Sequence, residues 1–254
     1  MRVTLRRLRS VLGTFEPLFD ASVVESLREE VKWVAGELGG ARDSEVVRRR
    51  LNALVAAPEE RALADRIERD LGCAEAAGME GAVAALDSER YSQLFRDLVG
   101  FAADPPWTPD AEGLGDDFLR ARVHRDWKRL RRRVESAREP ARGDELDSSL
   151  HEVRKAAKRL RYSAESLVPT HGDDAWRLVR GAKRVQTDLG EVQDSAVCRR
   201  VLRRIATLDG TLTDEVFILG GLHAQERLRS AHAEAHYAKA WAKVSRNKHR
   251  RWLK

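Results

Sequence analysis

Apolar residues recur at helical spacing along almost the whole chain. Leu5, Leu8, Leu12 and Phe15 follow one another at intervals of three or four residues, which places them on one face of an α-helix. No stretch of useful length alternates between apolar and polar residues as a half-buried strand does. Because Gly and Pro end helices, they divide the pattern into segments. The pattern predicts an all-α protein, with helices up to Pro17 and at about 23–38, 43–54, 59–77, 82–102, 117–138, 145–167, 172–189, 194–207 and 213–253.

Two segments near the start of the chain have counterparts in its second half. MRVTLRRLRS at 1–10 matches the helix HEVRKAAKRLRY at 151–162 with an offset of 152. LGGARDSEVV at 38–47 matches LGEVQDSAVC at 189–198 with an offset of 151. Two matched blocks in the same order, at nearly the same offset, indicate an internal duplication.

The duplication divides the chain into two predicted helical repeats that together form one domain. The first repeat spans 1–140 and the second spans 141–254. The segment DPPWTPDAEGLGD at 104–116 is rich in Pro and Gly, which predicts a loop within the first repeat.

Composition points to an anionic partner in a reducing compartment. The chain of 254 residues has 47 basic and 41 acidic residues and a net charge of +6, which favours nucleic acid, acidic lipid or a phosphate polymer. Cys73 and Cys198 are far apart, as is typical of a reducing compartment. No apolar run reaches the length of a membrane span, and no signal peptide opens the chain. We therefore expect a soluble, cytoplasmic protein, with a monomer favoured.

The helix at 151–162 separates its cations from its apolar residues. At 100° per residue, His151, Arg154, Lys158 and Arg161 fall within a stripe about 80° wide, well away from the apolar stripe. Like charges three and four residues apart repel one another, so a merely solvated face gains nothing from such a row. The first copy repeats the stripe with three arginines, Arg2, Arg6 and Arg9. The repetition favours anion binding over the alternative of a solvated surface face.

The mixture of cations in these stripes suits a flexible polyanion. The planar guanidinium engages two phosphate oxygens at once, and Lys supplies a point charge. Phosphates beside His151 would raise its pKa and favour the protonated form, which donates from both ring nitrogens. No aromatic residues alternate with the cations as a base-stacking platform requires.

The helix HEVRKAAKRLRY resembles the most specific segment of the CHAD family of helical domains. MRVTLRRLRS looks like the family's first-repeat helix, and KWVAGELGGARDSEV at 32–46 looks like its next motif. The matching positions of the main segment are His151, Arg154, Lys158, Arg161 and Tyr162. The resemblance covers essentially the whole chain.

The CHAD resemblance implies a fold and a function. The fold would be two antiparallel bundles of about four helices each, related by a pseudo-twofold axis, with a basic central cleft lined by the two repeated helices. The function would be non-catalytic binding of inorganic polyphosphate, with association to polyphosphate granules and no cofactor. The histidine of the first repeat would fall two positions before Met1. Either the chain is truncated or the first site works with arginines alone.

The candidate polyphosphate-binding residues are the two stripes and a few further cations. Lys128 and Arg131 lie on the long basic helix, for which a solvated helix with internal ion pairs is an equally good interpretation. Lys32 and Lys183 match through the offset of 151, with an interhelical ion pair as the alternative. The full set is Arg2, Arg6, Arg9, Lys32, Lys128, Arg131, His151, Arg154, Lys155, Lys158, Arg161 and Lys183.

Two other function classes stay open at the level of sequence. A metal-dependent phosphohydrolase is disfavoured because no ExExK pattern and no phosphate-binding glycine loop occur, so we predict neither catalytic residues nor a metal. Charge alone permits non-specific nucleic-acid binding. Asp43 and Asp194 occupy equivalent positions, where helix N-capping is favoured over a metal or catalytic role. His232 and His236 have a zinc-like spacing, but a surface pair is favoured.

Overall fold

The structure is a computed structural model that describes residues 1–55, 61–138, 143–208 and 210–253, apart from the side chains of residues 41–43 and 110. Within these ranges the protein is all-α and contains no strand, as predicted. Its helices are α1 (Arg2–Phe15), α2 (Ala21–Glu37), α3 (Gly40–Asn52), α4 (Arg61–Leu86), α5 (Glu89–Ala103), α6 (Asp116–Ser136), α7 (Asp144–Glu165), α8 (Val168–Ala206) and α9 (Thr213–Val244). None of the described helices is both long and apolar enough to cross a bilayer.

Side-chain caps fix the start of two of the early helices. The Asp20 carboxylate accepts hydrogen bonds from the backbone N–H groups of Ser22 and Val23, at 2.9 and 3.2 Å. The Ser88 hydroxyl accepts one from the N–H of Tyr91 at 3.2 Å. These oxygens satisfy backbone donors that have no partner within the helix. The predicted loop before α6 is confirmed, and it includes a 3₁₀ turn at Pro109–Gly113.

Two long helices, α4 and α8, continue where the sequence predicts breaks. Gly78 and Gly81 lie inside α4, and residues 189–194 lie inside α8, so both predicted interruptions are wrong. A glycine inside a helix costs about 1 kcal/mol relative to Ala. In α8, each Leu or Val buried around the predicted break contributes about 1.5–3 kcal/mol, which outweighs that cost. The buried residues flanking the two positions are Leu71, Ala82 and Ala85 in α4 and Leu189, Val192 and Ala196 in α8.

Other predicted boundaries also differ from the structure. Asp43 and Asp194 are not N-caps because both lie inside helices, in α3 and α8. By contrast, the predicted helix boundary at about 172 is confirmed, because the backbone within α8 is not helical at Gly172, where φ is 46°. The last helix ends at Val244, and two short 3₁₀ turns replace its predicted continuation to 253.

Three apolar clusters form the core of the described residues. The largest joins α6, α7, α8 and α9 around Trp127 and Leu160. A second packs α3 and α4 on the later part of α8 and the start of α9, with Leu51 at its centre. The third joins α1, α2 and α5 around Val31. Phe15 at the end of α1 belongs to the largest cluster, so α1 connects the third cluster to the first.

A buried carboxylate fixes α1 against α6 and α7. Asp126 of α6 is 2% exposed, and it accepts hydrogen bonds from Arg159 Nε and Thr14 Oγ1, both at 2.7 Å. Arg159 Nη2 also donates to the Gly13 carbonyl at 2.7 Å, and Arg122 Nε donates to the Thr14 carbonyl at 2.7 Å. A charge removed from water is tolerated only with such a full set of partners. The network therefore holds the end of α1 in one position on α7.

A second buried network fixes α3 on α8 and α9. Arg50 of α3 engages Glu226 through two hydrogen bonds of 3.0 and 2.7 Å, and the Glu226 side chain is fully buried. Arg50 also donates to Ser195 at 2.9 Å and pairs with Glu191 at 2.9 Å. The Ser195 hydroxyl donates to Glu226 at 2.8 Å. Together these contacts hold α3 opposite α1 and α7.

Candidate anion-binding cleft

A cleft of about 1230 Å³ lies where α1 and α7 face α3 and α4. Side chains from α2, α6 and α8 complete its lining. The two networks at Asp126 and Glu226 hold the helices that form its opposite walls. The wall formed by α1 and α7 carries most of the cations, whereas the other wall combines apolar side chains with two carboxylates.

Both predicted cationic stripes line this cleft, except for Arg161. The helices that carry them, α1 and α7, pack directly against each other. From α1 the lining residues are Arg2, Arg6 and Arg9, and from α7 they are His151, Arg154, Lys155 and Lys158. Seven of the twelve candidate residues thus converge on one cavity, although the sequence separates them into two groups.

Lys158 lies among charges of its own sign. Burial lowers the pKa of the Lys158 ammonium, and repulsion from Arg154, Arg6 and Arg161 lowers it further, to about 8. Asp194 acts in the opposite direction but does not offset these effects. The influence of Arg6 shows that the α1 stripe reaches the α7 stripe in space. The part of this lowering that comes from the three arginines is a repulsion between like charges, which a bound anion would relieve.

His151 is held close to its neutral form in the absence of a ligand. Burial lowers its pKa most, a hydrogen bond with Gln193 raises it, and the charges of Lys155 and Arg154 lower it again. Its Nδ1 is buried and has no hydrogen-bond partner among the described residues. An anion beside the ring would provide a partner and would favour the imidazolium, as the sequence-based argument expects.

The other five candidates lie outside the lining of the cleft. Arg161 pairs with Glu165 at 3.2 Å, donates to Gln186 at 3.0 Å and lies over the Tyr162 ring at 4.3 Å. The remaining four candidates are exposed on α2, α6 and α8; they are Lys32, Lys128, Arg131 and Lys183. Lys32 pairs with Glu29 at 2.7 Å, and Arg131 pairs with Glu135 at 3.4 Å. Their assignment to the site stays a prediction from the sequence.

The cleft contains four arginines that the sequence-based analysis did not assign to it: Arg28, Arg129, Arg133 and Arg159. Arg159 stands at the repeat position that matches Arg7, and this match was the available signal for it. Arg129 and Arg133 are four residues apart on α6, but the opposite flank of that helix carries an equally regular basic row. Arg28 had no signal in the sequence, because the folding of α2 beside α1 brings it there. Its guanidinium lies against Gly13, where a Cβ would come within 3.1 Å of Arg28 Nε.

The opposite wall of the cleft differs in character. Val46, Met79 and Ala82 supply apolar surface, and Glu45 and Glu75 supply carboxylates. Glu75 pairs with Arg48 at 2.9 Å, so its charge is already balanced. The cleft is therefore polarised, with its cations concentrated on the α1, α6 and α7 side.

The cleft offers little for covalent or metal chemistry among its described residues. Cys198 borders it but is fully buried, and burial raises the pKa of its thiol to about 12, so the thiol stays protonated. No cluster of three or more His, Cys, Asp or Glu side chains that could hold a metal ion occurs in the described part of the chain. What the arrangement can do is bind an anion through several guanidinium and ammonium groups at once.

The fold and the cleft define an all-α protein with a concentrated cationic cavity. A family model for the CHAD domain matches residues 1–203. The chain therefore belongs to the CHAD domain family.

Comparison with other proteins agrees with this assignment. Two proteins of Mycobacterium tuberculosis are each 30% identical to the chain: uncharacterized protein MT2285 of strain CDC 1551 / Oshkosh and uncharacterized protein Rv2226 of strain ATCC 25618 / H37Rv. The match covers 89% of this chain but 44% of each relative, so the chain spans less than half their length. The solved structure of PptA from Streptomyces chartreusis superposes with a TM-score of 0.81 at 22% identity, over 95% of this chain and 87% of PptA. This likeness establishes the shared fold.

Proposed function

We propose that the cleft binds inorganic polyphosphate without catalysis. The chain belongs to a family that is linked to polyphosphate binding. For this chain the proposal rests on Arg6 and Lys158. These two cations come from distant segments of the sequence and line the same positively charged cavity. Phosphate groups along a flexible polymer would neutralise these cations one after another, and the release of counterions would drive binding.

The cleft suits a polymer better than a single phosphate. Its cations are spread over α1 and α7 rather than gathered around one point. A linear polyanion can engage several of them simultaneously, so each contact after the first is made at a high effective concentration. Short phosphates span fewer cations and would bind more weakly. Association with polyphosphate granules would then follow from this affinity.

The proposal is tested by binding of long-chain polyphosphate to the full chain at low ionic strength. Replacing Arg154 and Lys158 together with Ala should reduce the affinity at least tenfold. The matched control is Arg180→Ala with Arg184→Ala, which removes two exposed cations of α8 that do not line the cleft. Circular dichroism of both variants should show unchanged helix content. Equal affinity of the cleft variant and the control would overturn the proposal.

The same protein preparation can be used to test two alternative functions. Stronger binding to duplex DNA than to polyphosphate, at equal phosphate concentration, would favour a nucleic-acid-binding protein. Release of orthophosphate from polyphosphate in the presence of a divalent metal would favour a phosphohydrolase. The proposal expects tighter binding of polyphosphate and no release of orthophosphate.

A further inference from the structure

A second basic depression opens directly from the cleft. It has a volume of about 400 Å³, and its lining residues are Arg129, Arg132, Arg133 and Ser136 of α6. We call it the arginine groove. Arg129 and Arg133 line both the groove and the cleft, so the two cavities share a border. A ligand chain that leaves the cleft at this border enters the groove.

The groove follows a continuous stripe of α6. At 100° per residue, Arg125, Arg129, Arg132, Arg133 and Ser136 fall within about 100° of the helix circumference. Between Arg125 and Arg133 the helix rises about 12 Å. The buried side of the helix, with Trp127 and Leu130, lies away from this stripe. The stripe therefore presents a row of guanidinium groups to solvent over more than two helical turns.

Among the described residues this stripe has no direct carboxylate partner, although the charges of Asp126 and Glu152 act on Arg129 and Arg133. In the described part of the chain, no ion pair involves Arg125, Arg129, Arg132 or Arg133. The other flank of the same helix is different, since Arg131 pairs with Glu135 at 3.4 Å and Arg120 pairs with Asp116 at 2.9 Å.

Arg129 is both partly buried and close to other arginines. Burial lowers the pKa of its guanidinium most, and the charges of Arg159, Arg125 and Arg132 lower it further, against the opposing effect of Asp126. Such crowding of like charges is unfavourable for an isolated helix. It becomes favourable when a polyanion lies along the stripe.

We propose that the arginine groove is a second anion-binding site that carries a polyphosphate chain onward from the cleft along α6. The proposal rests on the proposed function of the cleft and adds a determinant of polymer length. Arg129 and Arg133 would hold the phosphates at the border, and Arg132 with the Ser136 hydroxyl would hold those beyond it. A chain that is anchored in the cleft reaches Arg132 only if it is long enough to cross the border, so the groove should select for long polymers.

The test reverses one charge in the groove and compares two ligands. Arg132→Glu changes a residue that lines the groove but not the cleft. The matched control is Arg180→Glu, an exposed arginine of α8 that lines neither cavity. The affinities for long-chain polyphosphate and for tripolyphosphate are measured as a function of salt concentration. The double variant Arg154→Ala with Lys158→Ala reports on the cleft in the same assay.

We expect Arg132→Glu to weaken the binding of long-chain polyphosphate at least fivefold. The variant should also lower the slope of log K against log salt concentration by about 1. Its affinity for tripolyphosphate should change by less than about twofold, since the short ligand stays in the cleft. A milder variant, Arg132→Ala, should show the same selectivity for long chains.

Three outcomes would overturn the groove proposal, and they differ from failure of the cleft. An equal loss in Arg132→Glu and Arg180→Glu would show an effect of net charge alone. An equal loss for long and short ligands would place Arg132 within the primary site. No loss in Arg132→Glu, together with a large loss in the cleft variant, would leave the cleft as the whole site. If instead the cleft variant binds normally, the proposed function itself is wrong.

Discussion

Arg6 and Lys158 line one cleft with charges of the same sign, although they belong to segments at the start and in the middle of the chain. Burial and the repulsion from Arg154 and Arg6 hold the pKa of Lys158 at about 8. Like charges brought together in this way contribute no folding stability. A bound anion would relieve the repulsion between these cations, and this role has measurable consequences.

Binding should depend on pH through Lys158. Its ammonium loses the proton as pH rises through about 8, and a neutral amine no longer attracts phosphate. We expect polyphosphate affinity to fall about three- to tenfold between pH 7 and pH 9, the effect of one charge-assisted contact. Titration calorimetry in buffers of different ionisation enthalpy would also detect proton uptake on binding near pH 8. Lys158→Arg should flatten this profile, because Arg stays protonated; an unchanged profile would exclude Lys158 as its source.

The same lysine should affect stability in the opposite direction when no ligand is present. Its pKa in the folded protein lies below the ordinary value of 10.5, so the unfolded chain binds more protons between pH 8 and 10.5. The contribution of Lys158 to the free energy of unfolding therefore rises as pH rises through 8. Denaturant unfolding at pH 7 and pH 9 would measure it, with Lys158→Met as the control that removes this contribution. A larger rise in the variant than in the unaltered chain would contradict the prediction.

The carboxylate of Asp126 should be important for both stability and binding. Asp126→Ala leaves the half-buried Arg159 without its carboxylate partner and removes one of the two acceptors near the Thr14 hydroxyl, which should cost about 3 kcal/mol of unfolding free energy. Because α1 then loses its attachment, polyphosphate affinity should also fall. Glu29→Ala, which removes an exposed ion pair with Lys32, is the control and should change stability by less than about 0.5 kcal/mol. A loss below 1 kcal/mol for Asp126→Ala would show that the network is not needed to hold α1.

Gly181 should be intolerant of a methyl group because α8 and α9 approach closely there. A Cβ at this position would overlap with Val244 Cγ2, so Gly181→Ala should destabilise the protein by about 1–3 kcal/mol. Gly72 of α4 has open space around its Cα, and Gly72→Ala should raise stability by about 0.5–1 kcal/mol. Thermal unfolding of the two variants distinguishes close packing from helix propensity. A stabilised Gly181→Ala would mean that Val244 moves freely.

The predicted helices show which local sequence signals were sufficient to predict where a helix begins and ends. The apolar spacing around Leu12 and the Pro after α1 correctly predicted a helix and its end, because both effects act within one or two turns. Gly78 and Gly81 misled the prediction, since a glycine costs a helix only about 1 kcal/mol and α4 continues through both to bury Ala82 and Ala85. The division into repeats at 1–140 and 141–254 and the pseudo-twofold axis stay predictions.

The residues of the cleft also divide into those that the sequence predicted and those that it did not. The spacing of Arg154 and Lys158 on α7 placed both on one face, and the matching arginines of α1 pointed to the second helix of the cleft. On α6 the sequence offered two basic flanks, one with Arg131 and one with Arg129, and helical periodicity could not choose between them. Only the packing of Trp127 and the hydrogen bond from Arg159 to Asp126 turn Arg129 towards the cleft.

The sequence by itself determined the helices, their charged faces and the excess of basic residues, because these depend on neighbours three and four positions apart. Tertiary structure alone decided that α1 lies against α7, that Arg28 joins the cleft and that Arg161 is paired with Glu165 instead. The reason is physical: apolar burial and buried ion pairs between distant segments set the positions of whole helices. The charges on those helices then meet where the packing brings them.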